Sequence, residues 1–107
     1  RIRRQVEKER FEGITDSRTL EATDQLRVLN LIYDDPYVPW INAFIINDGP
    51  DTAYIAINNI NKPNCWHEIR ANETRVFDQS SAEERIAQFY YRCDEGETAT
   101  VRVEALF

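Results

Sequence analysis

With 107 residues, of which 42% are hydrophobic and 11% aromatic, the sequence fits one globular domain with one modest core and excludes a wholly disordered chain. Its longest apolar runs are only a few residues, which excludes a transmembrane helix within it. The net charge is −6, but residues 1–10 hold five basic and two acidic side chains (+3), and the other 97 residues hold 8 basic and 17 acidic ones (−9).

This uneven charge bears on the kind of partner. Phosphate contacts need clustered Lys and Arg, so we expect no nucleic-acid binding through the acidic, folded part of the chain. The basic N-terminal end suits an acidic partner, or it is only a solvated terminus. The sequence contains no methionine, even at position 1, so we expect that it starts after the natural N-terminus.

The N-terminal segment has two parts. Residues 1–12 have helix-forming composition, with Ile2 and Val6 four residues apart. One apolar pair makes such a helix marginal on its own, so it would need a partner surface. Residues 13–24 are polar and turn-rich, which predicts an extended linker. We therefore expect an N-terminal helical and extended arm over residues 1–24 and a folded domain over residues 25–107.

The folded domain begins with strand-like segments. Residues 25–33 alternate as a strand that ends at an Asp-Asp-Pro turn. Residues 40–59, WINAFIINDGPDTAYIAINN, predict two strands joined as a hairpin around the turn residues 47–51. The alternation favours the following side chains for the core: Phe44, Ile46, Ile55 and Ile57.

The remaining segments continue this pattern. Residues 65–69 and 74–78 predict a second hairpin, and residues 86–93 and 98–107 predict a third. Two overlapping capping boxes at residues 80–84 predict a single helical turn between them. About six or seven short strands with regular turn signals predict an all-β fold, an antiparallel β-sandwich or a jelly-roll-like small barrel.

No arrangement of residues predicts an enzyme. His67 is the only histidine, and it would have to act as base for a nucleophile that has no local signature. Cys65, His67 and Cys93 could ligate a metal, but Cys-x-His lacks the spacing of zinc modules, and no fourth ligand is evident. We expect no catalytic residue, no cofactor and no metal, and we disfavour a small enzyme built on His67 and Cys93. The two cysteines fit either a disulfide or two free thiols.

Aromatic side chains offer a second candidate surface. Trp40, Trp66 and Tyr54 could form a platform that stacks on sugar rings. Alternating aromatics in a small sandwich are more often core residues and cross-strand pairs. The sequence leaves both interpretations open.

Three motifs resemble a known group of proteins: WINAFIINDGPDTAYIAINN, EIRANETRVFD and YYRCDEGETATVRVEAL. Their turn placement and strand order, over residues 37–107, resemble the small β-sandwich accessory proteins of tailed bacteriophage virions, such as head-decoration, cement and fibre-attachment modules. The resemblance implies a protein that works by assembly, often as a trimer, with an arm that engages neighbouring subunits or a partner shell.

We therefore predict a non-enzymatic structural protein of the virion, a homo-oligomer that contacts other virion proteins and no membrane. The alternative is a carbohydrate- or ligand-binding module. The predicted contact residues all lie in the arm: Arg1, Ile2, Arg3, Arg4, Val6 and Phe11.

Overall fold

The structure, a computed structural model, describes residues 15–33, 38–79 and 84–106. These ranges contain eight strands and no helix. The strands are β1 (Thr15–Ala22), β2 (Arg27–Asn30), β3 (Asn42–Pro50), β4 (Ala53–Ile57), β5 (His67–Ile69), β6 (Thr74–Asp78), β7 (Gln88–Arg92) and β8 (Ala99–Leu106).

The strands form two four-stranded sheets that pack face to face. Sheet A has the order β1-β8-β3-β6, and sheet B has the order β2-β7-β4-β5. Every pair is antiparallel, and the pairs β1–β8, β2–β7, β3–β6 and β4–β5 are nested along the chain. Nested pairing of eight strands in two sheets is the jelly-roll arrangement. The predicted fold class, an antiparallel β-sandwich, is confirmed.

The three predicted hairpins are wrong, because the two strands of each lie in different sheets. β3 lies in sheet A and β4 in sheet B, and the β5–β6 and β7–β8 turns also connect one sheet to the other. Turn residues determine where the chain reverses, but a reversal can join two strands that pair or two strands that pack across a core. Apart from β4 and β5, which pair with each other, the paired strands come from distant parts of the chain.

The core lies between the sheets and uses the other face of β3 from the one we predicted. Ala43 and Ile45 are fully buried, whereas Phe44 is 40% exposed. Both faces of this strand are apolar, so alternation alone does not select the inner one. The register does, because Ile45 pairs with Val103 and both side chains point into the core. The predicted core position of Ile55 is confirmed, and Ile57 packs against the core.

The sandwich also includes part of the predicted arm. Residues 15–22, which we assigned to a linker, form β1 and pair with β8 from Thr15 opposite Leu106 to Ala22 opposite Ala99. This strand is stabilised by the contact of Asp16 with the core, since the indole nitrogen Nε1 of Trp40 donates to its Oδ2 at 3.0 Å. The predicted helix at residues 1–12 lies outside the described residues, as do residues 80–83 of the predicted helical turn.

Asn47 is a buried polar side chain with a complete set of partners. Its side-chain nitrogen donates to the carbonyls of Asp51 and Ile69, both at 2.8 Å, and its side-chain oxygen accepts from the amide of Gly49 at 2.8 Å. Because Asn47 belongs to sheet A and Ile69 to sheet B, these bonds join the two sheets. Gly49 has a φ of 86°, a left-handed conformation that glycine adopts without strain.

We predict that Asn47→Ala lowers the free energy of unfolding by about 3 kcal/mol, because it leaves buried carbonyl and amide groups without partners. Urea denaturation measures this change. Asn61→Ala, at an exposed loop position, is the matched control and should change the free energy by less than about 0.5 kcal/mol. An equal effect of both substitutions would contradict the structural role of Asn47.

Candidate functional site

The outward side chains of the two sheets form two contrasting surfaces. We call them face A and face B, after their sheets. Face A consists of the strand residues that alternate with the core positions of sheet A: Ser17, Thr19, Glu21, Asn42, Phe44, Ile46, Asp48, Thr74, Val76, Asp78, Thr100, Arg102, Glu104 and Leu106.

Face A carries an apolar patch, formed by Phe44, Ile46 and Val76. Phe44 and Val76 are direct neighbours across β3 and β6, and they are 40% and 58% exposed. Ile46 lies next to Phe44 on the same side of β3 and is half-buried. Adjacent large apolar side chains in water are unfavourable, so this patch is a candidate contact surface.

Carboxylates occupy other positions of this face, and one of them, Glu104, is the direct neighbour of Phe44 across β3 and β8. Face A has four of them, Glu21, Asp48, Asp78 and Glu104, and a single guanidinium, that of Arg102. Arg102 is committed to Asp48, to which it donates from Nε at 2.6 Å and from Nη2 at 3.0 Å. This pairing raises the pKa of Arg102. Glu104 accepts from the hydroxyl of Ser17 at 2.8 Å, a bond that leaves its negative charge in place.

Face B is built around one stacked arginine. The guanidinium carbon of Arg92 lies 4.8 Å from the ring centre of Tyr54 and 4.7 Å from that of Trp66. Arg92 also pairs with Asp94 at 3.5 Å, and the Tyr54 hydroxyl donates to Asp94 at 3.2 Å. Burial and this hydrogen bond raise the pKa of Tyr54. Two rings and a carboxylate therefore hold the guanidinium in place.

The predicted aromatic platform is divided in the structure. Tyr54 and Trp66 come together around Arg92, but Trp40 is fully buried and packs edge-on against Phe89, with ring centres 5.6 Å apart. Trp40 is thus a core residue and cannot stack on a ligand. The sequence carried no signal for the role of Arg92, because that role depends on the pairing of β4 with β7.

The two cysteines are free and lie at opposite ends of the sandwich. Cys93 is 2% exposed and its amide donates to Thr23 in the β1–β2 turn, whereas Cys65 is half-buried in the β4–β5 connection. Burial, with help from nearby carboxylates, raises the pKa of the Cys93 thiol to about 11. The Cys93 thiol is therefore protonated, and not a thiolate, at neutral pH.

His67 stands beside an open cleft of about 560 Å³ between the β4–β5 connection and β6. Its ring packs edge-on against Phe77 at 4.9 Å. Burial and the charge of Arg75 lower the pKa of His67, so the imidazole is neutral at pH 7. Within the three described ranges, no three His, Cys, Asp or Glu side chains are grouped so that they could hold a metal ion.

No protein-family model matches the chain, and no curated protein is detectably similar to it. The resemblance to phage virion proteins therefore stays a prediction. The six predicted arm contacts, between residues 1 and 11, lie outside the described residues. In the described part of the chain, no helix is long and apolar enough to cross a membrane.

We predict that a thiol reagent at about pH 8 labels Cys65 but not Cys93 in the folded protein, because Cys93 is buried and stays protonated. Intact-mass spectrometry should show one adduct under native conditions and two in denaturant. Cys65→Ser, as control, should remove the native adduct.

The same pKa shift predicts a pH dependence. The unfolded state loses the Cys93 proton near its ordinary pKa of 9.0, and the folded state only near 11, so the free energy of unfolding should fall as the pH rises between these values.

For the labelling experiment, equal labelling rates of both thiols in the folded protein would contradict the burial of Cys93.

Proposed function

We propose that this chain is a non-enzymatic structural protein of a virus particle, which assembles with its neighbours through its N-terminal segment. The observation that carries the proposal is the position of β1. This strand lies at one edge of sheet A, and its pairing begins at Thr15 opposite Leu106. Among the described strands, the chain therefore begins at an edge of the sandwich, and we expect the segment before Thr15 to reach another subunit from there.

Two further properties support this proposal. Eight-stranded jelly rolls occur in viral capsid and lectin domains, so the topology agrees with a virion protein, although fold alone does not assign function. The apolar patch of face A is the kind of exposed surface through which subunits associate. By the resemblance drawn from the sequence, we expect a homo-oligomer, with a trimer as the state to test.

We predict that deleting residues 1–13 abolishes incorporation into the particle and leaves the sandwich folded. The deletion must stop before Thr15, because removal of residues 1–24 would also remove β1. Incorporation is measured by mass spectrometry of purified particles, and folding by circular dichroism and urea denaturation. Light scattering on the intact chain gives the oligomer number.

The control for this deletion is a chain in which residues 1–13 are replaced by a Gly/Ser sequence of equal length. If the deleted or the replaced chain enters particles as well as the natural chain does, assembly does not depend on the N-terminal segment and the proposal fails.

The second candidate function is carbohydrate or ligand binding through face B. The observation that favours it is the grouping of Tyr54 and Trp66 around Arg92, because aromatic rings stack on sugars.

We predict for this second candidate that binding on a glycan array is lost in Trp66→Ala. Tyr33→Ala, which removes a 75% exposed ring outside the stack, is the control and should bind like the unsubstituted protein. Absence of binding by the unsubstituted protein would dismiss this candidate.

A further inference from the structure

We propose that face A binds the N-terminal segment of a second copy of this chain. The inference rests on the proposed function, since both use this segment, and it names the surface that receives it. Three features carry the inference: the apolar patch, the excess of carboxylates around it, and the composition of residues 1–11.

The apolar patch and the carboxylates are arranged in rows across sheet A. One row reads Ser17, Glu104, Phe44 and Val76 from edge to edge of the sheet. The carboxylate of Glu104 thus lies next to Phe44, and Val76 follows on the far side of Phe44. A segment that crosses the strands along this row would meet an anionic group and then an apolar surface.

The charge of face A is not balanced within the face. The one guanidinium among the face A positions, that of Arg102, already makes a two-point contact with Asp48, so it does not offset Glu21 and Glu104. Glu21 and Glu104 receive hydroxyl hydrogen bonds from Thr100 and Ser17, which do not neutralise them. Face A therefore attracts a cationic partner.

Face B differs in this respect. Its strand positions carry one carboxylate, Glu68, and one guanidinium, Arg92, and the latter is stacked and paired. Its exposed apolar residue Val28 stands opposite Tyr90, without neighbouring carboxylates on the strands. A basic segment therefore has an electrostatic reason to select face A over face B.

The N-terminal segment has the complementary composition. Residues 1–10 have a net charge of +3, and the segment also supplies apolar side chains at Ile2, Val6 and Phe11. The apolar side chains suit the patch, and the arginines suit the carboxylates. In this sequence, no other stretch of ten residues combines so much positive charge with apolar side chains.

The position of β1 in sheet A favours a second copy of the chain as the source of the bound N-terminal segment. The chain enters β1 at Thr15, at the end of the sheet, and β1 is separated from β6 by β8 and β3. Because the described chain begins at an edge of the sheet, we expect the preceding residues to be presented to a neighbouring copy, in keeping with the proposed assembly, and the mixing experiment below distinguishes this from binding to the chain's own sandwich.

A charge-swap experiment on the full-length protein tests the proposal. The face variant carries Glu21→Lys and Glu104→Lys, and the segment variant carries Arg3→Glu and Arg4→Glu. Sedimentation velocity at low ionic strength should show self-association of the natural chain and about tenfold weaker association of each variant alone. An equimolar mixture of the two variants should associate again, because each supplies the surface that complements the other.

Matched controls separate the face from general effects of charge and hydrophobicity. Glu68→Lys with Glu95→Lys makes the same change in net charge away from face A and should not weaken association. Val76→Ser should weaken it, whereas Val28→Ser, which changes a comparably exposed valine on face B, should not. Urea denaturation of every variant establishes that the sandwich remains folded.

Three results would overturn the proposal: a natural chain that is monomeric throughout, a face variant that associates like the natural chain, or a mixture that does not recover. A segment bound to its own sandwich would give the first of these results. If residues 1–13 are required for incorporation but the face variant is incorporated normally, the proposed function stands and this inference fails. If the deletion has no effect on incorporation, the proposed function itself fails.

Discussion

The buried amide of Asn47 is the contact on which the arrangement of the two sheets depends. Ladder hydrogen bonds join strands only within a sheet. The β3–β4, β5–β6 and β7–β8 turns connect one sheet to the other, so the polar groups of these turns need other partners. Asn47 supplies these by binding the carbonyls of Asp51 and Ile69. Its backbone oxygen also accepts from Asn72 in the β5–β6 turn, and Asp51 binds Thr98 in the β7–β8 turn. Three of the connections between the sheets are therefore linked at one end of the sandwich.

This construction leaves both outer faces available for contacts, and their chemistry differs. On face B, Arg92 is held between two rings and paired with Asp94, so the charge of its strand residues is internally balanced. Face A keeps an excess of negative charge beside Phe44 and Val76. The chain therefore carries a cationic N-terminal segment and an anionic apolar surface in one molecule, and this combination is the physical basis for association between copies.

Much of the local structure could be predicted from residue patterns. The segment 74–78 is β6, and Val101 and Val103 point inward from β8 as alternation predicts. Residue patterns gave wrong predictions of the core face where two arrangements fitted the same pattern equally well. Phe44 and Ile45 both continue an alternating series on β3, and the larger side chain proved to be the exposed one. The apolar side chains Leu20 and Ala22 were too few to predict β1. This segment forms a strand because it pairs with β8 along its whole length.

By itself, the sequence determined an all-β fold, either a sandwich or a small barrel, the absence of a recognisable catalytic motif and the separation of charge between the N-terminal segment and the rest. These properties follow from the composition, the spacing of the apolar residues and the turn residues, all of which depend on residues close together in the chain. Only the tertiary structure decided which strands pair, which face of β3 is buried, that Trp40 is core, and that Arg92 joins Tyr54 and Trp66. Those outcomes depend on register between strands far apart in the chain, where each apolar pattern has several possible partners and packing selects among them.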